Sequence, residues 1–314
     1  VLNVWGSDVL TLTYDVESER YVIYGRAHYS AESGNPAADQ WFTRYYPAQP
    51  NGWIPKRAIY RIESIDLINW SQPKRVLAPG PFHNLDDQFY SMAHFRMGRY
   101  HCALMPVFHA VDNTKDVELV YSHDGIEWQH FSHGPWVIPR GGKGAWDEFQ
   151  VDTVIPPVQV GDQHFVYYGG ADFHHDWAMV GKQQGLDTPE ADYSIDQLNE
   201  CLGLATFRAD GFVSLDAGLR EGIINTTPFF STGEQFVINA RCGKNGFIEV
   251  EMVDVMDNVW KGFSRIDCAR FVGDETNHVV TWKNQSGVNM APGYTRARFY
   301  MKNAELYSFR IASQ

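Results

Sequence analysis

Three aspartates each precede an aromatic ring by the same thirteen residues: Asp8 and Tyr21 in "DVLTLTYDVESERY", Asp87 and Tyr100 in "DQFYSMAHFRMGRY", Asp152 and Phe165 in "DTVIPPVQVGDQHF". Carboxylates gathered at one cleft have a defined chemical use. One, held protonated, gives a leaving oxygen its proton, while another attacks an anomeric carbon or activates water. Mutual repulsion separates their pKa values and so assigns the two roles. Asp8, Asp87 and Asp152 are therefore the candidate catalytic acids.

Each aspartate heads short β-prone runs separated by polar turns, the pattern of an antiparallel meander. Within the first two copies, Ser64, Asp66 and Trp70 recur as Ser122, Asp124 and Trp128. This S-x-D-x-x-x-W unit predicts a tight turn between third and fourth strands, with Asp accepting backbone N–H groups and Trp covering the seam. The third copy keeps an Asp210–Gly211 turn. A repeat of roughly 65 to 80 residues suits the blades of a β-propeller with long connections.

In a propeller the first strand of every blade lines the axis, so residues opening those strands form a ring. Strand alternation puts Leu10, Leu12 and Tyr14 on the side of Asp8. The connections from second to third strands return to that end and bring Arg26, His28, His109, Asp172, His174 and His175 around the acids. Glu148, with Asp147, lies just ahead of the third inner strand. Arg26, His109, Glu148, Asp172, His174 and His175 are thus the candidate substrate-binding residues. Two polar and aromatic connections, "SAESGNPAADQWFTRYYPAQPNGWIP" and "DFHHDWAMVGKQQGLDTPEADYSIDQLNE", are long enough to serve such a site.

The expected fold is all-β: about three propeller blades over residues 1–221, then a β-sandwich over 222–314 made of the segments "GIINTTPFF", "EQFVINARC", "FIEVEMVDV", "SRIDCARFV", "HVVTWKN" and "TRARFYMKNAELYSFRIA". Three blades do not close a ring, and five would. The expectation is that further blades precede Val1 or that a partner chain supplies them.

A net charge of −12 without a Lys/Arg block argues against nucleic acid and anionic membrane surfaces as partners. No run of 18 apolar residues is present. Cys102, Cys201, Cys242 and Cys268 show no metal-ligand spacing; Cys242 and Cys268 could pair, but separate thiols are the expectation. His174–His175–Asp176 lacks the spacing of a metal site, and there is no GxSxG elbow, P-loop or dinucleotide fingerprint. No metal or cofactor is expected, and the sequence shows no strongly basic cleft. Localisation stays open between secreted or periplasmic and cytoplasmic.

"YDVESERYVIYGR", "IESIDLINW", "VELVYSHDGIEW", "VIPPVQVGDQHFVYYGG", "GLATFRADGFVSLDAG" and "RARFYMKNAELYSF" resemble the five-bladed β-propeller glycoside hydrolase superfamily of invertases and arabinanases, in a bacterial branch with a C-terminal β-sandwich. The resemblance covers nearly the whole chain and implies a funnel-shaped carbohydrate site. The "WMNDPNG", "RDP" and "EC" segments of invertase-like members are absent; "NLDDQF" and "WDEFQVD" occupy comparable strand-start surroundings. The leading expectation is a glycoside hydrolase cleaving a plant or algal oligosaccharide. A non-catalytic carbohydrate-binding propeller and a polysaccharide lyase are the alternatives.

Overall fold

The computed structural model describes residues 9–30, 55–81, 83–84, 86–131, 136–177, 188–231, 235–283 and 293–312. The chain divides into two compact units, residues 1–158 with 165–206, and 159–164 with 207–314. Among the described residues the regular structure is β throughout apart from a 3₁₀ turn at Ile195–Gln197. The all-β class expected from the sequence is what the chain adopts. Among the described residues no helix is long and apolar enough to cross a membrane.

The first unit is built of blade-type meanders. β1 (Leu10–Asp15), β2 (Arg20–Ser30), β3 (Pro55–Ser64) and β4 (Lys74–Leu77) form an antiparallel four-stranded sheet in chain order. In the second repeat the inner strand is broken: β5 (Asp87–Phe89) and β6 (Ala93–Met97) both pair with β7 (Tyr100–His109), which continues to β8 (Thr114–Ser122) and β9 (Trp128–His130). The third repeat breaks the same way. β10 (Gln150–Asp152) and β11 (Val158–Val160) both pair with β12 (Gln163–Ala171), and Pro156 and Pro157, which cannot donate to a ladder, fall in the gap. β13 (Glu200–Arg208) completes that side of β12, and β10 also meets β8 in parallel at Gln150 and Lys115. Both long connections leave from the expected place, between β2 and β3 and between β12 and β13.

The two S-x-D-x-x-x-W turns form as the residues predict. Asp66 Oδ1 accepts the N–H groups of Ile68 and Asn69 at 2.8 and 2.7 Å, and Asp124 Oδ1 those of Ile126 and Glu127 at 2.8 and 2.9 Å. Each indole donates back into its own turn, Trp70 to Leu67 O at 3.1 Å and Trp128 to Gly125 O at 3.2 Å. The first-unit core contains Val22, Tyr24, Ile59, Phe89, Met105, Val107, Val120 and Trp128. Burying each large apolar side chain of this kind is worth about 1.5–3 kcal/mol.

The third repeat departs from the four-strand pattern. After Asp210–Gly211, β14 (Leu215–Ala217) pairs with β19 (Gly293–Ala312) of the second unit instead of with β13. That unit also contains β15 (Gly222–Asn225), β16 (Phe229–Ser231), β17 (Gln235–Val253) and β18 (Asp274–Val279). "EQFVINARC" and "FIEVEMVDV" are one strand, β17, whose register against β19 shifts between Cys242 and Phe247. "SRIDCARFV" is not a strand; it is a turn-rich segment tied by isolated bridges such as Cys268 to Trp282. Inward alternation of Phe236, Ile238, Ile248, Val250 and Met252 against Ala297, Phe299 and Met301 forms the core. The four cysteines are free thiols, as expected.

Candidate active site

Asp8 lies outside the described residues. The other eight candidates fall into separate groups. The one with chemical potential surrounds Tyr90, a residue the sequence reading did not single out.

Tyr90 follows β5 immediately, in the break before β6, and its N–H is held by Pro106 O at 2.8 Å. Pro106 of β7 has no N–H to return to Tyr90, so the ladder stops there. Arg26 of β2 places its guanidinium carbon 3.8 Å from the centre of the Tyr90 ring, Lys115 Nζ of β8 lies at 4.6 Å, and Arg57 of β3 at 5.1 Å. Arg57 is also 5.3 Å from the ring of Phe108. The β2–β3 register explains the convergence of the arginines. Arg26 is opposite Ile59 and His28 opposite Arg57, so Arg26 and Arg57 extend the face that carries Val22, Tyr24 and Ile59 into the core.

Asp152 enters from β10. Gln150 and Asp152 alternate onto one face, opposite Ala171, with a single methyl, and Gly169, with no side chain, which leaves room. Asp152 Oδ2 accepts a 2.6 Å hydrogen bond from Lys115 Nζ, whereas Oδ1 is buried and has no partner among the described residues. Gln150 Oε1 is 3.2 Å from His175 Nδ1. The His175 imidazole packs edge-on to Tyr90 and Phe108, with centroids 4.9 and 5.0 Å apart. Burial, and then the charges of Lys115, Arg57 and Arg26, push its pKa down to about 2. His175 is therefore a neutral ring in an electropositive setting.

Asp87 and His109 also meet, but in a closed network. They are directly opposite on β5 and β7, and His109 Nδ1 is 2.7 Å from Asp87 Oδ1. Asp87 Oδ2 accepts the Asn84 N–H at 2.9 Å, and the residue is 3% exposed. The other ring nitrogen, Nε2, lies 3.3 Å from Asp116 Oδ2, which in turn accepts from Arg140 Nε at 3.0 Å. Burial alone would lower the His109 pKa; hydrogen bonds to Asp116 and Asp87, with their charges, outweigh it and raise it to about 9. At neutral pH this is a charged imidazole between two carboxylates.

The remaining candidates have local duties. His174 Nδ1 lies 2.5 Å from Glu190 Oε1, with its ring against Phe149 and Trp177. Asp172 accepts from both the backbone and the side chain of Asn199, at 3.2 and 2.9 Å. Glu148 Oε2 accepts the Gly144 N–H at 2.6 Å within its own loop. Asp147, the alternative acid beside it, accepts the Tyr168 hydroxyl at 3.3 Å. Arg57, Tyr90, Lys115 and Gln150 are the site residues missed from the sequence. The available signal was a lysine within the buried strand "TKDVELVYS".

One group has ligating side chains close together: His83, Glu118 and His130. His130 Nδ1 lies 2.7 Å from Glu118 Oε1, and His83 Nε2 faces Glu118 Oε2 at 3.9 Å. His83 Nδ1 accepts the Gly80 N–H at 3.0 Å, which leaves Nε2 facing the carboxylate.

No protein-family model matches the chain, and no curated protein does. Among solved structures, it is similar to an N-acetylgalactosamine deacetylase from F. plautii in complex with blood group B trisaccharide, at 16% identity and a TM-score of 0.41 over 64% of this chain and 50% of that one. It is also similar to a family 117 glycoside hydrolase produced by the marine bacterium Zobellia galactanivorans, at 16% identity and a TM-score of 0.41 over 95% of this chain and 88% of that one. A beta-fructofuranosidase of Bombyx mori gives 9% identity and a TM-score of 0.36 over 93% of this chain and 79% of that one. The chain spans about half the length of the first of these.

Proposed function

We propose that the chain is a propeller-type glycoside hydrolase whose working carboxylate is Asp152. The observation that carries this reading is the state of that side chain: one oxygen is held by Lys115 and the other is buried without a partner. An unpaired buried acceptor costs about 1–3 kcal/mol, and a donor from a bound molecule relieves it. A sugar hydroxyl or a water is such a donor. With Lys115 on one oxygen, the other is left to take a proton or meet the substrate, as a base or nucleophile does.

Paired-carboxylate cleavage needs a second acid. Asp87 is engaged by His109 and Asn84 and almost fully covered. By sequence position the second role goes to Asp8, just ahead of β1, the neighbour of the strand carrying Arg26. His175, neutral and next to Gln150, orients substrate hydroxyls without adding charge. The substrate is a carbohydrate, of plant or algal type in the resemblance the sequence carries.

The deciding experiment is a screen of plant and algal oligosaccharides with the wild type and Asp152→Asn, products being read by mass spectrometry. Hydrolysis adds one water across the cleaved bond, and the variant stops it. Binding without product would replace this reading by a carbohydrate-binding propeller. An unsaturated product absorbing in the ultraviolet would replace it by a lyase.

A further inference from the structure

We infer that the Tyr90 group recognises the acidic substituent of a glycan, a carboxylate or a sulfate ester, so that the substrate is a charged sugar. The inference takes its glycan from the glycosidase reading above and its charge preference from geometry alone. Three cationic side chains from three strands converge on one phenol ring, at 3.8 Å for Arg26, 4.6 Å for Lys115 and 5.1 Å for Arg57. Like charges gathered around one ring repel one another, and the ring faces offset only part of that. Lys115 has its carboxylate, Asp152.

Arg57 does not. Its Nε and Nη1 are buried with no hydrogen-bond partner among the described residues. A guanidinium edge left bare inside a protein is costly, and its planar pair of N–H groups fits two oxygens of one carboxylate or sulfate. The orphan Oδ1 of Asp152 adds the complementary requirement, a hydroxyl donor on the same ligand. An oxyanion at Arg57 and a hydroxyl at Asp152 together describe an acidic sugar residue. The neutrality of His175 fits this: burial, and then the charges of Lys115, Arg57 and Arg26, hold the imidazole unprotonated, so it adds nothing to the repulsion.

The rest of the chain argues for a single local contact and not for a general attraction to polyanions. Its net charge is −12, so the long-range field repels negative polymers. Recognition then depends on one acidic unit reaching the cluster, and the affinity falls with salt to a limited extent only, since the groups are largely buried.

Calorimetry on the whole chain tests the inference with four probes: an oligogalacturonide, its carboxyl-reduced counterpart, a sulfated galacto-oligosaccharide and its desulfated counterpart. The expected result is that one acidic probe binds about tenfold or more tightly than its neutral twin, the size of one good charge-assisted contact. Whichever twin pair shows the gap names the acid. Arg57→Gln closes the gap and Arg57→Lys restores part of it; Arg26→Gln provides a second variant, and thermal melts check that each is folded. Equal binding of acidic and neutral twins, a gap untouched by both Gln variants, or no binding of any probe would overturn the inference. Acidic probes bound but never cut would leave it standing while removing the hydrolase reading. Neutral probes cut and acidic ones ignored would do the reverse.

Discussion

Asp87 and Asp152 occupy the same interval in their repeats, yet their surroundings differ in kind. Asp87 is 3% exposed, and both of its oxygens are taken, by His109 and by the Asn84 N–H. Asp152 keeps one oxygen unpaired beside Lys115, one of three cations around the Tyr90 ring. The difference arises in the inner strands. Asp87 is opposite His109 and Asp152 opposite Gly169, so the two are at different heights relative to Tyr100 and Phe165, although the chain intervals match. The breaks at Tyr90–Met92 and Thr153–Pro157 absorb residues that a continuous ladder would have paired. Equal spacing along a chain means equal position in a sheet only while the ladder is unbroken.

If Asp152 is the reactive acid and Asp87 a structural one, the same substitution has opposite readouts at the two sites. Asp152→Asn lowers kcat/KM on the identified glycan by about 10²–10⁴-fold, the range for losing a catalytic acid or base, measured by steady-state kinetics. Asp87→Ala instead lowers stability by about 3 kcal/mol, because it leaves a charged His109 buried with half its partners, and denaturant unfolding measures this. A folded Asp87→Ala protein with full stability and no activity would reverse the assignment.

The His109 network has a pH signature on the alkaline side. Its pKa is about 9 in the folded chain against an ordinary 6.5. The folded state binds the proton more tightly, so this contribution is complete below pH 6.5 and fades as pH rises through about 9. Unfolding free energies across that window should decline in the wild type, and His109→Gln should flatten the decline.

The smallest effects come from the two matched turns. Leu67 and Gly125 occupy equivalent places with φ of 62° and 70°. Leu67→Gly relieves that conformation and should stabilise by about 1 kcal/mol in thermal melts. Gly125→Ala is the contrary case. A Cβ there would lie 2.8 Å from the Tyr24 hydroxyl and 3.1 Å from the His101 ring, so a loss of about 2 kcal/mol is expected. Equal responses at the two positions would mean that the second turn owes nothing to Tyr24.

The sequence by itself determined the local chemistry: the all-β class, the S-x-D-x-x-x-W turns, the places where long connections leave the sheets, and the pairing partners of Asp66 and Asp124. These rest on interactions between residues close in the chain, so spacing is enough to read them. It also pointed to Asp152, Arg26 and His175 without showing that they share a site. Only the tertiary structure decided that Tyr90 is their common centre, that Arg57 and Lys115 join them, and that Asp87 is closed off. Those outcomes depend on strand register and on breaks in the inner strands, which bring residues from β2, β3, β8 and β10 together. A chain with a net charge of −12 gave no sign of a cationic cluster, because net charge sums over the whole sequence, whereas the field at one ring depends on the few groups the sheets bring beside it.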